Sequence, residues 1–346
     1  MNKTDAELVK LLRADNLLPQ WENKTCPRCN KGKLSPLQNF GGSMPQHRCN
    51  RKGCQVYVNP HHLHPLFVDG RGSGCSSLQK QAATLLLLLL RVPHTVAHHL
   101  LDVNHKALED MSRKLRNLRR RWVETKEKEI TFGNGRTWAD VEADETTFDK
   151  KNLGSAAADP ANSIEWEQWC GMVQRGVPSS LVLSCLMPKI SAKRAPGPGA
   201  IRKMEWGPLA KKHLQGRQVI LHTDAAKSYK TKINGVLHDN VRHCKKRVKV
   251  AGKFVWKAPV YVRLAVHKCP KTGKKLQVKA GTQIIDRAWR FLKERIHVQS
   301  NSKVGSSTLK AQIRSAQYEY WHMGQDLWKL TGSLCQWEMA KFALSG

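Results

Sequence analysis

The spacing of apolar residues changes along the chain and predicts a mixed α/β protein. Apolar residues at helical spacing favour a short amphipathic helix within residues 1–20, with Leu8, Leu11 and Leu12 on one side. A helical region follows from Leu78 to about Glu129. From residue 131 onward, short apolar segments typical of strands alternate with helical ones, an order that favours an α/β layer. The predicted strands are residues 137–147, 166–174, 181–187 and 218–223, and the predicted helices are 208–214 and 308–330.

The helical region contains the pattern of a helix-turn-helix. A helix ending at Val92, a new helix from Pro93, a turn at residues 102–104 and a longer helix to Trp122 have the spacing of a three-helix DNA-reading unit. Asn104 is expected to cap the last helix. The basic residues of that helix suit phosphate binding: Arg113, Lys114, Arg116, Arg119, Arg120 and Arg121. A plain helical bundle with a solvated basic face has the same pattern and stays open.

Charge extends the picture to the whole chain. Of 346 residues, 59 are Lys or Arg and 27 are Asp or Glu, which gives a net charge of +32 distributed along the length. Such a charge attracts a polyanion. The longest apolar segment, residues 82–90, is about half of the ~20 residues that a membrane span needs, so no membrane partner is expected. The amino terminus shows no secretory signal, which favours an intracellular protein, in the nucleus of a eukaryote or otherwise in the cytoplasm or nucleoid.

Two cysteine pairs predict a zinc site. Cys26 and Cys29 are separated by two residues, and Cys49 and Cys54 follow about twenty residues later. Four thiolates from two short loops can surround Zn²⁺, which helps a loop-rich segment to fold. Unlinked buried thiols are the alternative. Because the second pair is wider than usual, nearby histidines are possible substitutes for one cysteine: His47, His61, His62 and His64.

Three aspartates predict a second metal site. Asp144 lies in an alternating strand, Asp224 ends an apolar strand, and Asp286 begins a helix whose apolar stripe includes Ile285 and Trp289. Such acids could hold two divalent ions that activate a water or a DNA 3′-hydroxyl and steady the leaving oxygen of a phosphodiester. Hard oxygen ligands suit Mg²⁺ or Mn²⁺. An Asp at a strand end is also an ordinary turn residue, which is the competing interpretation.

At these segments the chain resembles the Merlin-type DDE transposases and their bacterial insertion-sequence (ISXO-like) relatives. The shared elements are the two cysteine pairs, the helix-turn-helix, Val-Glu-Ala-Asp-Glu-Thr at residues 141–146, Thr-Asp at 223–224, and a Thr-Gln element at 282–283 followed by Trp289 and Lys293. They occur in the family's order over residues 24–330. The resemblance implies an RNase H-like fold, with Asp144 and Asp224 as the first two metal ligands.

Two positions depart from the family. Asp286 stands where the family usually has Glu, and Gly281 stands where it has His. The shorter side chain withdraws the carboxylate by about one methylene, and a displacement of ~1 Å can cost on the order of a hundredfold in rate. Lys293 matches the family and is expected at a DNA phosphate or the attacking group, with a solvated helix lysine as the alternative.

Neighbours of the acids have expected roles as well. Glu142 and Glu145 are expected to support the acids or replace one of them as ligands, with Glu142 on the Asp144 side of the strand. His222 is expected to pack away from the cleft, and Trp289 and Trp321 are expected in the core.

These observations predict three modules and a transposase function. The modules are an N-terminal helix with a zinc-ribbon-like segment (1–70), a helix-turn-helix region (76–129) and an RNase H-like catalytic domain (131–335) with a basic hairpin insertion at about 240–280. The first hypothesis is a DDE transposase that cuts and rejoins DNA by two-metal-ion catalysis. It would act on terminal repeats and target DNA as a homodimer or larger complex. A catalytically decayed, transposase-derived DNA-binding protein is the alternative, and an RNA-binding zinc protein rests on charge alone.

Overall fold

The computed structural model describes residues 4–41, 44–69, 76–159, 161–270, 272–298 and 303–343. Contacts divide the chain into two units, one formed by residues 1–122 with 324–346 and the other by residues 123–323. The last helix therefore belongs to the first unit. The sequence analysis instead places residues up to 335 in the catalytic module. The expected division into three functional modules stays a prediction.

The elements follow one another in the order helices, strands, helices. The α-helices are α1 (Asp5–Ala14), α2 (Leu78–Leu89), α3 (His94–Leu101), α4 (His105–Lys126), α5 (Lys203–Leu214), α6 (Gln283–Lys293), α7 (Ser307–Trp321) and α8 (Leu327–Ala343). The strands are β1 (His47–Arg48), β2 (Tyr57–Val58), β3 (Ala139–Asn152), β4 (Ile164–Gln174), β5 (Val182–Cys185), β6 (Lys189–Ser191), β7 (Val219–Thr223), β8 (Val236–Asn240), β9 (Lys246–Val250), β10 (Lys253–Lys257), β11 (Arg263–Lys268) and β12 (Lys275–Ala280).

Capping residues fix the helices of the first unit. The Thr4 side chain accepts a hydrogen bond from the backbone of Glu7, and the Glu7 carboxylate accepts one from the Thr4 backbone, so α1 begins with a capping box. Asp102 ends α3 in the left-handed conformation. The Asn104 side chain then accepts a bond of 2.8 Å from the Lys106 backbone, which confirms the predicted cap of α4.

A mixed sheet forms the centre of the second unit. Its strand order is β5-β4-β3-β7-β8, and β6 also pairs with β4. The three strands β3, β4 and β5 are antiparallel, whereas β7 and β8 run parallel to β3. The strands predicted from periodicity are present, and the protein is a mixed α/β protein as expected.

Alternation along β3 sends its side chains to two different layers. Val141 and Ala143 are fully buried in a core that includes Trp206 and Leu214 of α5. Glu142, which lies between them, faces the opposite side. On that side α6 packs on β3 and β4 and contacts α7. Helices therefore cover both faces of the sheet, which explains why its central strands are apolar.

The predicted basic insertion consists of two antiparallel hairpins. Strands β9 and β10 form the first and β11 and β12 form the second, between the edge strand β8 and the helix α6.

The predicted helix over 308–330 is divided in the structure. It forms α7 and the start of α8, and Asp326 accepts a bond of 2.9 Å from the Trp328 backbone at the beginning of α8. Among the residues that the structure describes, no helix has both the length and the apolar character required to cross a membrane.

Candidate functional site

The sheet register brings the first two predicted acids to the same level. Strands β3 and β7 are parallel neighbours in which Glu142 pairs with His222. Two residues further along both strands are Asp144 and Asp224, where β7 has just ended. The negative charge of Asp224 contributes to the raised pKa of the Asp144 carboxyl, so the two carboxylates lie within electrostatic reach of one another.

Asp144 is held on the α6 side of the sheet. The Trp289 indole donates a hydrogen bond of 3.2 Å to the Asp144 carboxylate. This contact is possible because Gly171 faces Asp144 on β4 and has no side chain: a Cβ there would lie 2.6 Å from two atoms of the Trp289 ring. Trp289 is thus a core residue, as predicted, and also positions an acid.

Electrostatic repulsion accumulates at Asp144. Burial raises the pKa of the Asp144 carboxyl well above its usual range. Three neighbouring carboxylates add to this effect on the pKa through their negative charges: Glu145, Asp286 and Asp224. All three predicted acids therefore belong to one electrostatic group, together with Glu145. A divalent cation would relieve this repulsion.

Asp224 and Glu145 face an open cleft of about 470 Å³. The Asp224 carboxylate accepts a bond of 2.8 Å from the Ala226 backbone, which orients it in the turn after β7. Lys293 and the loop 196–200 also line the cleft. Asp144 and Asp286 lie outside this lining.

Glu145 projects from β3 toward the α5 layer, opposite to Asp144. Its carboxylate accepts a bond of 2.8 Å from the Ile201 backbone and another from the Tyr229 hydroxyl. Burial raises the pKa of Glu145, although these hydrogen bonds oppose the increase. Of the two open roles for this residue, the contacts favour support, because Glu145 joins the cleft loop to the sheet.

Asp286 lies in the first turn of α6. The Thr282 hydroxyl donates a bond of 3.2 Å to its carboxylate and interacts at 3.2 Å with the His243 ring. Partial desolvation raises the pKa of Asp286, and the nearby His243 opposes this increase. The residue is exposed, so its carboxylate is accessible to a ligand.

Gly281 has a structural explanation. A Cβ at this position would lie 3.0 Å from the backbone oxygen of Tyr261, which is tighter than ordinary contacts. The chain ahead of β11 therefore occupies the space that the family's histidine would need.

Glu142 has a function that the sequence did not specify. It is 1% exposed, and its carboxylate accepts bonds of 2.6 Å and 3.0 Å from the backbones of Ile284 and Ile285 at the start of α6. Arg175 donates a third bond of 2.7 Å. Glu142 thus anchors the helix that carries Asp286 and is not accessible as an alternative metal ligand.

Lys293 ends α6 with an exposed side chain on the cleft wall. Partial desolvation lowers the pKa of Lys293, whereas the Asp144 carboxylate opposes the decrease. The ammonium group of Lys293 therefore lies within electrostatic reach of Asp144. Its contact with phosphate stays a prediction.

His222 is buried, as expected, and it is not among the residues that line the cleft. It shares a sheet face with Glu142 and interacts at 2.8 Å with Asp140 and at 2.8 Å with Asp239. Asp239 also interacts with His267 at 2.9 Å. Burial alone would lower the pKa of His222, but the two carboxylates outweigh it and raise the pKa. This network joins β3, β7, β8 and β11 beneath the acids.

The four predicted cysteines form a compact cluster in the first unit. Their sulfur atoms all lie within 4.8 Å of one another, and within the described residues this is the group that meets such spacing. The Sγ atoms of Cys26 and Cys54 are 3.8 Å apart, as are those of Cys29 and Cys49. Four Zn–S bonds of ~2.3 Å in a tetrahedron require about 3.8 Å between sulfurs, so the residues fit zinc.

The surroundings favour a thiolate at Cys29, whereas burial raises the pKa of Cys49 to about 12. Backbone hydrogen bonds from Gly32 and Lys31 lower the pKa of Cys29 to about 6. The histidines left open as substitutes lie elsewhere: His47 interacts with the Ser35 oxygen at 2.7 Å, and His64 is bonded to Leu17.

The predicted DNA-contact residues of α4 differ in accessibility. Arg119 is 3% exposed, so it is not part of an open phosphate-binding surface, and this corrects the sequence expectation for that residue. Arg113 and Lys114 both pair with Asp110, and Arg121 pairs with Glu338 at 2.9 Å. Arg116 and Arg120 are partly buried. Such surface pairs are weak and can exchange for phosphate.

No family model matches the chain, and no curated protein matches it. Solved structures that align with parts of it include a pre-cleavage Mos1 transpososome, at 14% identity over 49% of this chain and 62% of that chain, with a TM-score of 0.14. The mariner Mos1 paired end complex with Mg aligns at 12% identity over 48% and 58%, with a TM-score of 0.13. The Mos1 strand transfer complex aligns at 14% identity over 47% and 56%, with a TM-score of 0.13. The chain thus spans less than two thirds of each Mos1 chain, and at these TM-scores the alignments carry no argument about its fold or activity.

Proposed function

We propose that the protein is a DDE-type DNA transposase that cuts and joins phosphodiester bonds at transposon ends. The observation that carries the proposal is that Asp224 and Asp286 lie near enough to Asp144 for their charges to raise the pKa of its carboxyl, and that Asp224 lines an open cleft. A buried acid with a strongly raised pKa near a cleft is typical of functional sites. Three antiparallel strands joined to two parallel ones, with helices on both faces, support an RNase H-like core.

The three aspartates would hold Mg²⁺ or Mn²⁺, because their oxygen atoms are the hard ligands that these ions prefer. When bound, the ions would supply an activated water or 3′-hydroxyl and neutralise the leaving oxygen. The chain itself orients the acids: Trp289 fixes Asp144, and Glu142 fixes the helix that carries Asp286. Lys293 would contact the phosphate that enters the cleft.

The first unit would bind the DNA. Its cysteine cluster would hold a structural Zn²⁺, and the accessible basic residues of α4 would contact phosphates of duplex DNA at terminal repeats. Two ends must be held together during transposition, so we propose a homodimer or larger assembly. The chain would act where the DNA is, in a nucleus or a nucleoid.

Strand cleavage tests the proposal. The substrate is duplex DNA that carries the sequences flanking the gene, with Mg²⁺ or Mn²⁺, and the variants are Asp144→Ala and Asp224→Ala. We expect both to abolish cutting while duplex binding survives. Asp159→Ala, an exposed acid in a loop, is the matched control and should cut like the wild type. Cutting by both active-site variants at the wild-type rate would refute the assignment.

A catalytically decayed DNA-binding protein is the second candidate, and Asp286 and Gly281 are the observations that favour it. Because the Tyr261 backbone fills the space beside Gly281, the histidine cannot be restored without a local shift. Asp286→Glu can be made and is the informative variant. If the wild type binds repeats without cutting and Asp286→Glu cuts, the shorter acid is the lesion. Metal-dependent cutting by the wild type rules this candidate out.

A further inference from the structure

The hairpin β9–β10, here called the basic ribbon (residues 246–257), is the most unusual exposed surface of the second unit. No acid occurs among residues 240–285, which contain thirteen lysines and arginines. The ribbon is exposed along both strands, and Phe254 and Trp256 are 60% and 63% exposed. Two large exposed aromatics on one hairpin are typical of an interaction surface.

The strand register separates the ribbon into two chemically different faces. Phe254 pairs with Lys249, and Trp256 pairs with Arg247, so one face interleaves two aromatics with two cations. The Arg247 guanidinium lies 3.9 Å from the centre of the Phe254 ring. The second face carries three valines between lysines: Val248, Val250 and Val255.

We propose that the aromatic face of the basic ribbon binds unpaired nucleotides of DNA by base stacking. A polyanion is the partner that the charge favours, and a second copy of the same ribbon would be repelled. Aromatic rings interleaved with cations bind single strands, because rings stack on bases while cations contact phosphates. Alternate residues of a strand lie about 6.8 Å apart, so Phe254 and Trp256 offer two separate stacking surfaces on one face of the ribbon.

The neck of the ribbon lies close to Asp286, one of the candidate catalytic acids. Arg242 and Val260 close the neck through two backbone hydrogen bonds of 3.1 Å and 2.8 Å. The next residue, His243, interacts with Thr282, which donates to Asp286. The inference deepens the proposed function and rests on it for this point: the bound nucleotides are those unpaired next to the cut.

Fluorescence anisotropy with the full-length chain and a labelled dT12 oligonucleotide tests the ribbon. The variant Phe254→Ala/Trp256→Ala removes the rings, and Val250→Ala/Val255→Ala is the matched control on the opposite face. We expect the aromatic variant to bind dT12 about 10- to 100-fold more weakly with an unchanged salt dependence, because stacking involves no counterion release. The valine variant should bind within about twofold of the wild type, since it removes no ring.

An abasic strand of the same length isolates the bases. The wild type should bind the abasic strand more weakly than dT12, by the same factor by which the aromatic variant loses affinity for dT12. The aromatic variant should bind both strands with equal affinity. Wild-type affinity of the aromatic variant for dT12 overturns the proposal. The proposal is also overturned if the aromatic variant loses as much affinity for fully paired duplex as for dT12, because that result would indicate duplex binding. A loss of affinity for phosphatidylserine vesicles without a loss for dT12 would overturn it in favour of membrane binding.

The test does not depend on catalysis. If no variant ever cuts DNA but the rings still determine dT12 binding, the proposed catalytic function fails and the ribbon assignment stands. If cutting is observed but the rings do not affect dT12 binding, the ribbon assignment fails alone.

Discussion

Removing the Glu142 carboxylate should destabilise the second unit more than any other single change at the site. Glu142→Ala deletes the acceptor of the two helix N–H groups at Ile284 and Ile285 and the partner of Arg175. With 1% exposure at Glu142, water cannot replace the lost acceptor without a rearrangement. The carboxylate also interacts favourably with the positive end of the α6 dipole.

The magnitude follows from these contacts. Breaking a buried ion pair by removing one partner costs about 3–5 kcal/mol. Arg175 keeps bonds of 2.6 Å and 2.9 Å to the backbone oxygens of Lys279 and Gly281, so its charge is not left without partners. The lower half of that range, about 3–4 kcal/mol, is therefore expected for Glu142→Ala. Glu142→Gln keeps one acceptor oxygen and should cost about half as much.

Urea denaturation monitored by tryptophan fluorescence measures both variants. The midpoint should fall while the slope stays the same, because the exposed area on unfolding does not change. Glu294→Ala, at an exposed acid just after α6, is the control and should stay within about 0.5 kcal/mol of the wild type. A loss below about 1 kcal/mol for Glu142→Ala would show that the start of α6 does not depend on this carboxylate.

Three further predictions concern packing, pH and zinc. Gly171→Ala places a Cβ 2.6 Å from the Trp289 ring, so it should destabilise the protein by about 1–3 kcal/mol, and an unchanged melting temperature would contradict the packing. Burial lowers the pKa of His64 to about 3, so the neutral ring stabilises the fold and this contribution falls as the pH drops below about 6.5. From pH 6.5 to pH 5 the loss should be about 2 kcal/mol, measured by urea denaturation, and His64→Gln should lack this dependence. Elemental analysis should find one zinc per chain, and Cys26→Ser should reduce it strongly; full zinc content in that variant would exclude this ligand set.

Local patterns were sufficient for most elements and for the cysteine site. Periodicity predicted α2, α3, α4 and the central strands, because side-chain spacing follows the backbone repeat directly. The basic insertion was predicted as one hairpin and consists of two. Two short loops with paired cysteines needed no knowledge of distant residues to predict the cluster. Asp144 in an alternating strand and Asp224 at the end of an apolar strand were also visible as candidate ligands, and that role stays a prediction.

The burial of Arg119 could have been predicted from the sequence. Arg119 follows Leu115 by four residues on α4, and Leu115 belongs to the buried stripe of that helix, so helical spacing already indicated its burial.

Tertiary structure alone decided the rest. Glu142 and the α6 backbone that it binds are separated by 142 residues, and no local repeat connects them. The Asp140, His222, Asp239 and His267 network likewise joins four strands. The sequence by itself determined which residues could bind metal and which segments would be helices or strands, because those properties belong to single residues and their near neighbours. Which acid would face the cleft, which would anchor a helix and which would accept an indole depended on long-range packing, since a carboxylate takes its role from the donors that the fold brings to it.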